Sequence, residues 1–151
     1  MDNATPDSNG MYSYRYPRPA VTADTLVFSA DRKEILLIRR KNDPYKGCWA
    51  FPGGFLNMDE TLEQCALREL QEETSLLLAD IHPVGTYSTV DRDPRGRVIT
   101  TAYYTFADKN TVTPHAEDDA AEIGWFRLDS LPPLAFDHKE ILADAIILVK
   151  S

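Results

Sequence analysis

Apolar residues recur along this chain with two spacings, and the changes between them divide it into elements. Ala20–Phe28 and Ile35–Arg40 are short runs rich in leucine and β-branched residues that predict two strands, joined by the polar turn Ser29-Ala30-Asp31-Arg32-Lys33. The polar loop Lys41–Lys46, with Asp43-Pro44 inside it, leads to an apolar run ending Trp49-Ala50-Phe51-Pro52. There Gly53-Gly54 predicts that the strand stops in a tight, backbone-exposing loop. A helical spacing follows, and Asn57 with Glu60 fits a capping box at its start. Ile81–Val90 and Val98–Ala107 predict a pair of long strands joined by the charged turn Asp91–Arg97. Glu122–Leu128 predicts one more strand, and Asp137–Lys150 a closing amphipathic helix with Asp137 as its N-cap. Residues 1–12 predict a flexible tail rich in Asp, Asn, Ser and Pro. Tyr12, Tyr14 and Tyr16 alternate as a short edge strand or a sticky lead-in. No internal repeat interrupts this order. It predicts one α/β domain over residues 13–151, a mixed sheet with helices on both sides.

The helix after Gly54 carries acid where it should bury apolar side chains. At about 100° per residue, Ala66 and Leu70 lie within roughly 80° of Leu62 and mark the inward stripe. Glu69 and Glu73 fall within about 20° of Leu62, inside that stripe, with Glu72 at its flank. Carboxylates gathered on an inward face repel one another and are costly to desolvate, a conflict that a divalent cation removes. Mg²⁺ takes oxygen ligands, keeps some of its waters and is held by a few carboxylates together with substrate phosphate. An isolated run of this kind is usually a solvated acidic face. The preceding strand, glycine pair and capped start, with Arg68 one turn before Glu72, turn the reading towards a phosphate-and-metal device.

Gly54, five residues, Glu60, seven residues, then Arg68-Glu69-Leu70-Gln71-Glu72-Glu73 resembles the Nudix hydrolase box, G-x5-E-x7-R-E-U-x-E-E-x-G-U with U aliphatic. The resemblance implies an α/β/α sandwich whose catalytic unit is a loop-helix-loop. It further implies Mg²⁺, with Mn²⁺ as a substitute, at Glu69, Glu72 and Glu73, and Glu60 and Arg68 orienting the helix and its ligands. The box expects glycine at position 75, where this chain has Ser75. A left-handed serine ending the helix costs about 1 kcal/mol relative to glycine.

Composition fits a compact enzyme domain: 151 residues, 43% hydrophobic and 26% charged. A net charge of -8 argues against a nucleic-acid backbone or an anionic membrane as partner, while leaving room for a nucleotide bound through a metal. Cys48 and Cys65 make neither a ligand cluster nor a disulfide framework, and Cys65 is expected in the core. His82, His115 and His138 lack metal-ligand spacing. The first ten residues lack the apolar centre of a signal peptide and no run predicts a membrane span, so a cytoplasmic location is expected.

Specificity is read outside the box. Asp91–Arg97 is a solvated hairpin tip, or else Arg92, Arg95 or Arg97 grips a phosphate or ribose. Arg39 and Arg40 end a strand near Gly53 and Gly54 and are phosphate contacts or rim charges. Tyr45, Phe51 and Phe136 are base-stacking or core residues. The run Asp91–Gly96, with Tyr16-Pro17-Arg18-Pro19 and Ala135-Phe136-Asp137-His138, is similar to the ADP-ribose pyrophosphatase branch of the Nudix family. That resemblance implies Mg²⁺-dependent hydrolysis of a nucleoside diphosphate linked to another moiety, with ADP-ribose giving AMP and ribose 5-phosphate. It also makes Phe136, Arg92 and Arg95 substrate contacts and is compatible with a homodimer. Alternatives are a nucleoside triphosphate pyrophosphohydrolase that sanitises nucleotides, a hydrolase of dinucleotides or sugar nucleotides, and a non-catalytic ADP-ribose-sensing domain. Regulators with such a domain add a winged helix and often have a degraded box. Here the glutamate set is complete and the chain closes at Ser151, so an enzyme is expected. Glu69, Glu117 and Glu122 are candidates for the base that activates water, and Glu122 for a further metal ligand.

Overall fold

The computed structural model describes residues 5–115 and 120–150. Ala20–Ser29 (β1) is buried on both faces from Thr22 onward, so its apolar residues Leu26, Val27 and Phe28 run consecutively rather than alternating with polar ones. It pairs in parallel with Val98–Ala107 (β6) along its whole length, Ala20 opposite Val98 and Ser29 opposite Ala107. Glu34–Arg40 (β2) meets β1 only at the hairpin end, where Val27 faces Leu36 and Phe28 faces Ile35. Beyond that point the two strands take different neighbours. β1 takes Gly53–Phe55 (β4), and β2 takes Trp49–Ala50 (β3) on the same side and Ala120–Arg127 (β7) along its other edge. His82–Tyr87 (β5) closes the sheet antiparallel to β6. The sheet is therefore mixed and forked between β1 and β2.

A helix covers each face, giving α/β/α layers. Leu62–Thr74 (α1) lays Cys65, Ala66 and Leu70 against Ala23, Tyr103, Val27 and Leu36. His138–Lys150 (α2) lays Ile141, Leu142, Ala145 and Val149 against Leu26, Phe28, Ile35, Leu37, Phe51 and Ala102. The alternation of Ala23 and Val27 with Leu26 and Phe28 sends successive β1 side chains to opposite helices. Among the described residues, no helix is long and apolar enough to cross a membrane.

Local details correct the sequence reading. The capping box belongs to Thr61 and Gln64: Gln64 N–H donates to Thr61 Oγ1 at 3.1 Å and Thr61 N–H to Gln64 Oε1 at 2.9 Å. Asn57 lies before the helix, its N–H donating to Glu60 Oε1 at 2.8 Å. Gly53 and Gly54 continue the sheet as β4 instead of ending a strand in a loop. The tyrosines before β1 form no strand, and Tyr12 and Tyr14 stack with ring centroids 6.4 Å apart. Ser75 ends α1 in the left-handed conformation at φ 65°, its N–H donating to Gln71 O at 2.8 Å.

Candidate active site

The fork between β1 and β2 opens a cavity of about 510 Å³. Its floor is Thr22 and Asp24 on β1, one wall is Gly53, Gly54, Glu69, Glu72 and Glu73, and the far rim is Arg40, Arg92, Arg95 and Phe136. β4 lies between the floor and the acidic helix because its glycines allow contact that no side chain would. A Cβ on Gly54 would come within 2.5 Å of Glu69 Cδ, and one on Gly53 within 2.1 Å of Asp24 Oδ1.

Arg68 organises the acidic wall. Its guanidinium donates to Glu60 Oε2 at 2.9 Å and Oε1 at 2.6 Å, to Glu69 Oε1 at 2.8 Å, to Glu72 Oε2 at 3.2 Å and to the Phe55 carbonyl at 3.0 Å. Hydrogen bonds from Arg68 hold the Glu60 carboxyl down at about 2. Burial raises the pKa of Glu69 against the opposing pull of Arg68. Glu73 is buried, and its Oε1 accepts from Gly53 N–H at 2.8 Å. One arginine thus faces three carboxylates, and their surplus negative charge borders the cavity beside Glu73.

This donor set has the chemistry that suits a hard divalent cation. Glu69, Glu72 and Glu73 offer oxygen alone, and no group of three acidic, histidine or cysteine side chains among the described residues encloses an ion unaided. An ion that keeps waters and takes substrate phosphate oxygens suits such an open wall.

The opposite rim is cationic and aromatic. Phe136, left-handed at φ 52°, has the Arg40 guanidinium 5.0 Å and the Arg95 guanidinium 5.5 Å from its centroid, with the Tyr45 ring at 4.8 Å. Arg95 also lies 4.9 Å from the Phe55 centroid and pairs with Asp93 at 2.7 Å. Arg92 differs from Arg95. It is buried, and its fork donates to Asp137 Oδ2 at 2.9 Å and Oδ1 at 2.7 Å, pinning the Asp91–Arg97 connector to the start of α2. Asp137 holds the N-cap position expected of it, its carbonyl accepting from Ile141 N–H at 3.2 Å, and its carboxylate is the partner of Arg92. Next to it, His138 is buried and stacks on Phe51 with centroids 4.3 Å apart, and its Nδ1 accepts from Phe51 N–H at 3.2 Å. Burial pushes its pKa down to about 3, so the ring is neutral.

The structure brings Glu69, Glu72, Glu73, Gly53, Gly54, Arg40, Arg92, Arg95 and Phe136 around one space, with Arg68 and Glu60 bracing the helix behind it. Arg39 and Glu122 do not line the cavity. They pair with each other at 2.8 Å, directly opposite across β2 and β7, and both are exposed. The expected metal ligand Glu122 therefore already has a cationic partner at the sheet surface. Glu117 lies outside the described residues. Asp24 was missed, although a lone acid inside the apolar run Ala20–Phe28 is itself a signal, since aspartate is depleted in strands. Thr100 Oγ1 donates to its Oδ2 at 2.6 Å, and burial pushes its pKa up to about 6.

The NUDIX domain family matches residues 18–145. An ADP-ribose pyrophosphatase of Methanocaldococcus jannaschii is 46% identical over 129 residues, covering 85% of this chain and 74% of that protein. Among solved structures, the NUDIX domain of Shewanella oneidensis NrtR complexed with ADP ribose superposes with a TM-score of 0.81 at 30% identity, covering 89% of this chain and 90% of that one. A bifunctional NMN adenylyltransferase/ADP ribose pyrophosphatase of Francisella tularensis, complexed with AMP and a Mn ion, superposes with a TM-score of 0.75 at 32% identity, over 91% of this chain and 43% of that one.

Proposed function

Because this chain belongs to the NUDIX domain family and is a Nudix pyrophosphohydrolase, we propose that it hydrolyses the diphosphate of a nucleoside diphosphate linked to another moiety, with ADP-ribose as the leading substrate. One water is consumed, one P–O bond of the diphosphate bridge breaks, and AMP and ribose 5-phosphate leave. The observation that carries this reading is a single cavity with a carboxylate wall facing a rim of Arg40, Arg95 and Phe136. A diphosphate between two sugars is anionic at its centre and polar at both ends, and a cavity of about 510 Å³ is of the size of small-molecule sites.

Glu69, Glu72 and Glu73 would hold Mg²⁺, which supplies charge neutralisation at the diphosphate oxygens. Arg68 fixes the rotamers of Glu69 and Glu72, and Gly53 N–H fixes Glu73. Arg95 is paired with Asp93 but 41% exposed on the rim, where its guanidinium can meet a phosphate or ribose. Arg92 acts differently, holding the connector that presents Arg95. Glu69 reaches the cavity, whereas Glu122 does not, and so Glu69 is the described candidate placed to orient the attacking water.

The test is a Mg²⁺-dependent assay of ADP-ribose against nucleoside triphosphates, following AMP and pyrophosphate separately, with Glu73→Gln as control. The glutamine keeps an oxygen for Gly53 N–H, so the fold should persist while turnover falls by about a hundredfold or more. AMP from ADP-ribose supports the reading. Pyrophosphate from a triphosphate would replace the substrate but keep the metal helix, and near-normal Glu73→Gln turnover would remove the metal assignment. Tight ADP-ribose binding without turnover would make the protein a sensor.

A further inference from the structure

Asp24 lies outside the box helix and outside the arginine rim, yet it lines the cavity from the middle of the central strand. Its residue is 7% exposed. One carboxylate oxygen is engaged: Thr100 Oγ1 on β6 donates to Oδ2 at 2.6 Å. The other, Oδ1, accepts no hydrogen bond from the described residues. It is not sealed in the core either, since Thr25 Oγ1 is the sole fully enclosed, partnerless side-chain polar atom among them. Oδ1 instead lies over Gly53, where a Cβ would come within 2.1 Å of it. Gly53 is the register partner of Asp24 and gives its N–H to Glu73 Oε1 at 2.8 Å. The unpartnered oxygen and the buried box glutamate therefore flank a single glycine.

A carboxylate oxygen that is nearly buried, open only to the cavity and given no donor by the protein takes its donor from whatever fills that cavity. We propose that Asp24 Oδ1 accepts a hydrogen bond from an O–H group that enters with the reaction, either the attacking water or a hydroxyl of the substrate's sugar, and holds it over the β4 glycines. The proposal rests on reading the cavity as a diphosphate-hydrolysing site. Thr100 sets the direction: by fixing Oδ2 it leaves Oδ1 as the acceptor on the cavity side. Gly53 provides the clearance that lets the acceptor lie at the floor.

Asp24→Asn isolates this oxygen. The amide carbonyl still accepts from Thr100, and an NH₂ donor replaces the acceptor that faces the cavity. Expected is a fall of about a hundredfold or more in kcat/KM for ADP-ribose, with the Mg²⁺ activation midpoint unchanged. A fall confined to kcat, equal for substrates with and without the distal sugar hydroxyls, assigns the donor as water. A rise in KM that vanishes with a deoxy sugar assigns it as the sugar hydroxyl. Values of kcat and KM within twofold of wild type overturn the proposal. Should the asparagine variant not fold, Asp24→Ser and Asp24→Ala decide: serine retains an acceptor and should keep more activity, and equal losses overturn the role. If wild type hydrolyses no diphosphate substrate, the reading of the reaction falls by itself. Calorimetric binding of ADP-ribose to wild type and Asp24→Asn then still tests Asp24, and equal affinities overturn it.

Discussion

At the scale of single residues, the two glycines of β4 do different jobs, and substitution should separate them. A Cβ on Gly53 meets backbone as well as the Asp24 carboxylate, with Ala23 O at 2.6 Å and Asp24 Cα at 2.9 Å. The backbone atoms cannot turn aside, so Gly53→Ala should lose about 1–3 kcal/mol of stability along with activity. At Gly54 the three nearest atoms all belong to the Glu69 carboxyl, the far end of a flexible side chain. Gly54→Ala should therefore melt close to wild type while losing turnover, because Glu69 swings out of the wall. Thermal melts beside steady-state rates check the contrast, and equal destabilisation by both would refute it. From sequence, this pair is expected to end a strand in a tight, backbone-exposing loop. What opposes a strand in space leaves no mark on the residues of that strand, so the steric reason was illegible. The Arg92–Asp137 pair and the Thr100 partner of Asp24 were hidden for the same cause, since each lies far away along the chain.

At the scale of elements, the ends of α1 show what local sequence can and cannot reveal. The acidic face was legible because helical periodicity is a property of neighbouring residues: Glu69 and Glu73 point inward and Glu72 stands at the flank. Val98–Ala107 was legible for the same reason, as a run of alternating burial. The cap was misplaced because two overlapping patterns, at Asn57/Glu60 and Thr61/Gln64, satisfy the same rule. The helix begins at Leu62, so only Thr61 and Gln64 form the full reciprocal box, while Glu60 takes the Asn57 N–H ahead of the helix and both Arg68 bonds. At the other end, Ser75 is left-handed. Ser75→Gly should relieve that conformation by about 1 kcal/mol and raise the Tm by roughly 2–4 °C without changing kcat. Calorimetry of the two proteins checks it, and an unchanged or lower Tm would mean that the loop already compensates the strain.

At the scale of the whole molecule, stability should depend on pH through the buried histidine His138. Burial holds His138 neutral with its pKa down at about 3, against the attraction of Asp137, while Arg92 and Arg40 add to the depression. The unfolded chain binds a proton there near 6.5, so below that value it takes up protons that the folded state refuses. This contribution is complete above pH 6.5 and shrinks as pH falls towards 3. Asp24 works in the opposite sense. With its pKa raised to about 6, chiefly by burial, its contribution is largest below 3.8 and declines as pH rises to 6. Asp24→Asn should therefore steepen the loss of stability on acidification between about pH 6 and 4, which denaturant titrations at stepped pH can read. An unchanged slope would place the Asp24 pKa near its ordinary value.

The parallel pairing of β1 with β6 has a consequence for how the molecule comes into being. β1 brings Asp24 and β6 brings Thr100, and the whole box helix lies in the chain between them. Joining two such distant segments requires closing a long loop before any contact rewards it, which makes the pairing a late and slow event. A nascent chain that has emerged only as far as α1 already holds every box glutamate but has neither the strand that fixes Asp24 nor the helix that begins just after Asp137. During synthesis the acidic helix therefore precedes its cavity, and catalytic competence arrives with the C-terminal third of the chain.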